Sequence, residues 1–82
     1  MMFYRVAGKS MEPYLKEGRV VLAFGKAKLN DVVVFKHPLT KLAMVKRIVE
    51  ENEDGFYVKG DSQDSKIFVT RSDILGKVLL RF

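Results

Sequence analysis

Asp31-Val32-Val33-Val34-Phe35-Lys36-His37-Pro38 is the run on which the fold turns. Three β-branched residues and an aromatic in succession suit a packed, pleated strand better than a helix, and Pro38 ends it because proline has no N–H for a sheet ladder. Beyond a loop over Pro38 to Leu42, Ala43-Met44-Val45-Lys46-Arg47-Ile48-Val49 reads as a second strand. Its period-two alternation puts Met44, Lys46 and Ile48 on one face, apolar except for the lysine. Asp54-Gly55 then closes an acidic turn, and Phe56-Tyr57-Val58-Lys59 returns as the other arm of a hairpin.

Working outward towards the N-terminus, Gly25 to Asn30 is a polar connector. Arg19 to Phe24 holds five apolar residues in a row and is expected as a strand covered on both faces. Glu12 to Glu17 suits one helical turn, with Pro13 near its start and Gly18 closing it. Phe3 to Val6 has the content of a short strand. Towards the C-terminus, Gly60 to Ser65 is a polar loop, Ile67 to Val69 a short strand and Thr70 to Asp73 a turn. Ile74 to Phe82 is the last strand, with Gly76 the expected bulge. Six or so short strands and at most one helical turn predict a single all-β domain over 1–82, small, strongly bent and barrel-like.

Composition narrows the chemistry. With no cysteine, disulfides, thiolate metal sites and cysteine nucleophiles are excluded. Fifteen Lys and Arg against ten Asp and Glu give a net charge of +5, but the cations are scattered singly along the chain. That pattern is solvated surface rather than a phosphate-binding stripe, so no nucleic-acid partner is expected. Apolar runs fall far short of the roughly 20 residues that cross a bilayer, and the N-terminus is too short and too soon charged for a signal peptide. A cytoplasmic protein is expected, with contact to a membrane face or a partner protein left open.

The candidate chemistry sits at Gly8-Lys9-Ser10-Met11-Glu12-Pro13. Gly8 allows a close backbone approach and Pro13 a fixed turn, so Ser10 is expected on a tight bend with its own N–H and that of Met11 free to face a substrate oxygen. A serine hydroxyl needs a base to act as a nucleophile at neutral pH. Lys46 is the candidate base, because an amine on an apolar face loses hydration and with it the preference for the charged form. The plainer alternatives are a serine in an ordinary polar turn and a lysine that snorkels to water. His37 is a second candidate base for Ser10.

Taken in order, Gly8 to Pro13, Asn30 to Val34, Val45 to Val49, Gly60 to Lys66 and Ile74 to Val78 resemble the sequence boxes of bacterial type I signal peptidases. LexA-like repressors share that fold and its Ser/Lys arrangement. The resemblance implies a serine endopeptidase with Ser10 as nucleophile, Lys46 as general base and Ser62 as the hydroxyl orienting the amine, with Gly8, Pro13, Arg47, Gly60, Asp61, Asp64 and Lys66 supporting the site. It implies no metal or cofactor, and a leader or precursor peptide bound as an extended strand. Neither the membrane anchor nor the inserted β-domain of the large enzymes is expected from these 82 residues, and Gly8 stands where those enzymes often carry a hydroxyl. It looks more like compact soluble relatives such as the maturation peptidases of nickel superoxide dismutase. The alternative is a LexA-like regulatory or dimerisation module, non-catalytic or self-processing.

Gly8-Lys9-Ser10 also looks like the end of a phosphate-binding loop, but the earlier glycine such a loop requires would fall at Phe3. Gly60-Asp61-Ser62 looks like an esterase box, yet the downstream histidine that box needs is missing, the one histidine being His37. Neither reading stands. Tyr4, Tyr14, Phe24 and Tyr57 suit core packing better than base stacking.

Overall fold

The computed structural model describes residues 1–82. Seven strands form one antiparallel sheet: β1 (Met2–Arg5), β2 (Val20–Phe24), β3 (Val32–Lys36), β4 (Ala43–Asn52), β5 (Gly55–Lys59), β6 (Lys66–Thr70) and β7 (Ile74–Arg81). The spatial order is β1-β2-β7-β3-β4-β5-β6, so the sheet curls without closing, β1 and β6 being its two edges. The all-β architecture expected from the sequence is the one observed.

β3 lies near the middle, and its first four residues are all buried. Val32 and Val34 join one apolar cluster with Val6, Met11, Leu15, Val21, Ala23 and Val45. Val33 and Phe35 point the other way, into a second cluster with Ile48, Phe56, Val58 and Val69. A central strand with both faces covered reads as a continuous apolar run, which is why this segment announced itself. β2 does not behave that way. Only Val21 and Ala23 are buried, Val20 and Leu22 are half-buried and Phe24 is exposed. Its apolar run covers one face and leaves the other open, correcting the expectation of a strand enclosed on both sides.

The hairpin forms as expected: Asn52 Oδ1 accepts the N–H groups of Asp54 at 2.8 Å and Gly55 at 3.1 Å, an Asx turn. An irregularity between Ile48 and Glu50 then sets Lys59 opposite Arg47. In β7 the unpaired residue against β3 is Leu75, not Gly76. Gly76 has another task. A Cβ there would come within 2.8 Å of the Phe24 nitrogen, so its bare backbone lets β2 and β7 approach closely.

Between β1 and β2 the chain makes a single hydrogen-bonded turn, the Leu15 N–H donating to the Met11 carbonyl at 2.9 Å, and not the helical turn expected over Glu12 to Glu17. Met11 and Leu15 are each 1% exposed and pin this turn to the first cluster. At the other end, Arg71–Asp73 is a single 3-10 turn capped by Thr70 and Asp73.

Candidate active site

Ser10 stands on the bend directly after β1. Gly8, with φ at +80°, supplies a left-handed backbone that other residues seldom adopt, and its N–H donates to Glu17 Oε2 at 3.1 Å. Met11 divides its contribution: the side chain is a core anchor, while its N–H and that of Ser10 donate to no protein acceptor. Two free donors at the candidate nucleophile are what a developing oxyanion needs. The Ser10 side chain is half-buried and makes no hydrogen bond of its own.

Lys46 is 4% exposed, the one charged residue inside the core. It lies opposite Val33, between Met44 and Ile48, on the face the alternation predicts. Burial pushes its amine below the ordinary 10.5, and the positive charge of Lys59 pushes the same way. Lys46 Nζ donates to Gln63 Oε1 at 2.6 Å and forms no hydrogen bond with Ser10. The snorkelling alternative therefore does not hold, since the head group is inside and bonded.

One short loop reaches both residues. The Ser62 N–H donates to the Ser10 carbonyl at 2.9 Å, and Ser62 Oγ donates to the Lys9 carbonyl at 2.8 Å. Gln63, next along, reaches the Lys46 amine. Gly60 sits between: a Cβ there would lie 2.7 Å from Ser10 Cβ and 2.9 Å from Gln63 Oε1. Ser10 and the acceptor that holds Lys46 therefore flank one glycine. The residue at the amine is Gln63, not Ser62, whose hydroxyl faces the opposite way, towards the serine turn.

The supporting residues divide. Arg47 and Asp61 make a two-pronged ion pair at 2.9 and 3.0 Å, and Arg47 also donates to the Asn30 carbonyl at 3.0 Å. The Asp61 bond holds the Arg47 guanidinium further into its charged state, against a smaller opposing effect of burial. Lys59 Nζ donates to the carbonyls of Gly60 at 3.0 Å and Gln63 at 2.7 Å. These two cations brace the loop. Asp64 makes no hydrogen bond or ion pair, and Lys66 pairs instead with Glu50 and lies 5.1 Å over the Tyr57 ring. Pro13 is exposed within the turn that Met11 and Leu15 close. His37 Nδ1 accepts the N–H groups of Leu39 at 3.1 Å and Thr40 at 3.3 Å, so this histidine caps its own loop.

A cleft of about 480 Å³ opens beside Ser10, lined by Tyr4, Ala7, Leu42, Ala43, Met44 and Val45. One wall is a free strand edge. The His37 N–H donates to the Leu42 carbonyl at 2.8 Å and the Ile48 N–H to the Asp31 carbonyl at 2.9 Å, which fixes the alternation of the β3–β4 ladder. Ala43 and Val45 must then direct their backbone groups away from β3, and β5 pairs with β4 only from Arg47 onward. The Ala43 carbonyl accepts the Tyr4 hydroxyl at 2.6 Å, tying β1 across the cleft, and burial raises the pKa of that phenol. The Val45 N–H and C=O are left facing the opening.

The sequence did not point to Gln63 or Lys59 as site residues, and it pointed to Tyr4 only as core packing. Lys59 was within reach, since the hairpin register brings it near Arg47 once the extra residue at Val49 is allowed for. Gln63 and Tyr4 carry no local signal, because their partners are 17 and 39 residues away.

The family model described as Peptidase S24-like matches residues 1–79. No curated protein and no solved structure matches the chain.

Proposed function

Because the chain belongs to the Peptidase S24-like family over nearly its whole length, we propose that it is a serine peptidase in which Ser10 attacks a peptide carbonyl and Lys46 serves as its base. Family membership supports a peptidase or LexA-like fold in general; the assignment of roles rests on the site. The observation that carries it is the buried Lys46 amine, held at the Gly60 turn against which Ser10 packs.

A neutral Lys46 takes the Ser10 proton as the serine oxygen bonds to the carbonyl carbon. The N–H groups of Ser10 and Met11 receive the developing oxyanion. The Lys46 ammonium then returns the proton to the leaving amine, and water, deprotonated in turn by Lys46, releases the acyl group. No step calls for a metal. The substrate lies extended along the free edge of β4, exchanging hydrogen bonds with Val45 and placing small or medium apolar side chains in the cleft. A leader or precursor peptide fits this description, in keeping with the resemblance to signal peptidases and to the nickel superoxide dismutase maturation enzymes.

The test is labelling by a fluorophosphonate, followed by mass. We expect one covalent increment on Ser10, lost in Ser10→Ala and in Lys46→Ala. Its rate should climb with pH as the amine deprotonates and level off below the ordinary lysine range, because the amine's pKa lies under 10.5. The rival reading is a non-catalytic LexA-like module, and the absence of a direct Ser10–Lys46 hydrogen bond favours it. No labelling of the folded protein between pH 6 and about 10, the range over which a lysine can be made neutral, would establish that module instead.

A further inference from the structure

Gln63 reaches the Lys46 amine yet has no part in the mechanism above. Three observations bear on it. Its amide oxygen is the acceptor that Lys46 Nζ donates to, at 2.6 Å. Its own backbone is fixed, with the N–H donating to the Gly60 carbonyl at 3.0 Å and the carbonyl accepting Lys59 Nζ at 2.7 Å. The next residue back, Ser62, is bonded to the Lys9–Ser10 turn through both its N–H and its hydroxyl. One rigid loop therefore holds the backbone of the nucleophile with one residue and the amine with the following one.

We propose that Gln63 is a positioning residue for Lys46, its uncharged amide oxygen holding the amine beside Ser10 without fixing a proton on it. The chemistry of the acceptor is the reason. A neutral amine can donate one N–H to Gln63 and keep its lone pair for the Ser10 proton. A carboxylate in the same place would hold an ammonium, with no lone pair to offer. An apolar side chain would leave the amine unplaced. The charged groups around the amine sharpen the point. From β5 it faces Lys59; from the 60–63 loop it faces Gln63, with Asp61 turned to Arg47; the serine bend packs against the same Gly60, and its one cation, Lys9, is exposed at the surface. No carboxylate bonds to Lys46, so a single acid introduced at 63 would dominate.

The proposal rests on the peptidase reading, and the experiment separates the two. Gln63→Glu and Gln63→Leu are made in the full chain. Gln63 is exposed and its backbone makes the loop bonds, so both variants should fold, which an amide correlation spectrum checks. Lys46 is titrated by NMR of isotopically labelled lysine, and Ser10 is labelled with the fluorophosphonate across the same pH range. In Gln63→Glu the Lys46 midpoint should rise by about one unit or more, and half-maximal labelling should move up with it, so that labelling at a fixed neutral pH falls about tenfold. In Gln63→Leu the Lys46 midpoint should fall, yet labelling should slow about tenfold at every pH because the amine is no longer held. If wild type is labelled but both variants keep its midpoint and its rate, Gln63 has no positioning role. If wild type is never labelled, the peptidase reading falls and takes this role with it, whatever the lysine titration shows.

Discussion

Lys46 shows how a single residue can be set against the fold that holds it. A buried ammonium is costly, and Lys46 has one protein acceptor to offset that cost. Lys46→Met keeps the shape and removes the charge. We expect the variant to be about 1 to 2 kcal/mol more stable than wild type near neutral pH in urea unfolding, and to take no fluorophosphonate label. The pH dependence follows from the same shift. Folding lowers the amine's pKa, so the unfolded chain binds more protons between the folded value and 10.5. Wild-type stability should therefore rise with pH across that interval. Lys46→Met should lack that part of the slope; an unchanged slope would mean the amine is as well solvated folded as unfolded. The neighbouring Arg47 works through geometry rather than burial. Its fork meets both oxygens of Asp61, and Arg47→Lys, which keeps the charge but loses the fork, should cost about 1 kcal/mol and slow labelling by loosening the loop.

At the level of elements, the 60–63 loop and the free edge of β4 make the site. Gly60 is buried against the Ser10 turn, and a Cβ there would lie 2.6 Å from the Ser10 carbonyl oxygen, too near for any side chain. Gly60→Ala must push the loop away from the serine. A stability loss of about 1 to 3 kcal/mol by urea unfolding, with labelling reduced further than stability alone explains, is the expected outcome. The edge of β4 gives a separate expectation. A substrate-like peptide that pairs with Val45 should lose about tenfold in affinity when the amide facing Val45 is N-methylated, since one ladder bond is removed and a methyl clashes with the edge. Equal binding by isothermal titration would exclude pairing at that edge.

On the scale of the whole molecule, the curl of the sheet decides what meets what. β1 is an edge strand at one end of the strand order, yet its Tyr4 reaches across to Ala43 of β4 because the sheet bends round the first apolar cluster. The opposite face of β1, β2 and β7 is left open. Phe3, Leu22 and Leu80 form one cross-strand row there, with Phe3 65% and Leu80 54% exposed. Because these side chains bury little, Phe3→Ser with Leu80→Ser should change stability by no more than about 0.5 kcal/mol per site while lowering the binding of a hydrophobic dye. A larger loss on urea unfolding would mean the row is packed. Two carboxylates of the acidic hairpin are paired locally, Glu50 with Lys66 and Glu51 with Arg71. No helix is long and apolar enough to cross a membrane.

What the amino-acid order determined by itself is whatever depends on near neighbours. The β-branched run at 32–34 with Phe35 after it, the alternation that carries Lys46 inward, the Asp54-Gly55 hairpin and the single turn after Ser10 are each decided within a few residues, by pleat geometry and by where a backbone can bend. The order of boxes was enough for family resemblance too. Tertiary structure alone decided which loop residue reaches the amine, which face of β2 is covered and which carbonyl Tyr4 closes. Ser62 and Gln63 are adjacent and both polar, so composition does not rank them; the Lys59 bonds and the Gly60 approach turn one towards Ser10 and the other towards Lys46. Contacts of that kind are made between segments far apart along the chain, and their geometry exists only once the sheet has curled and brought those segments together.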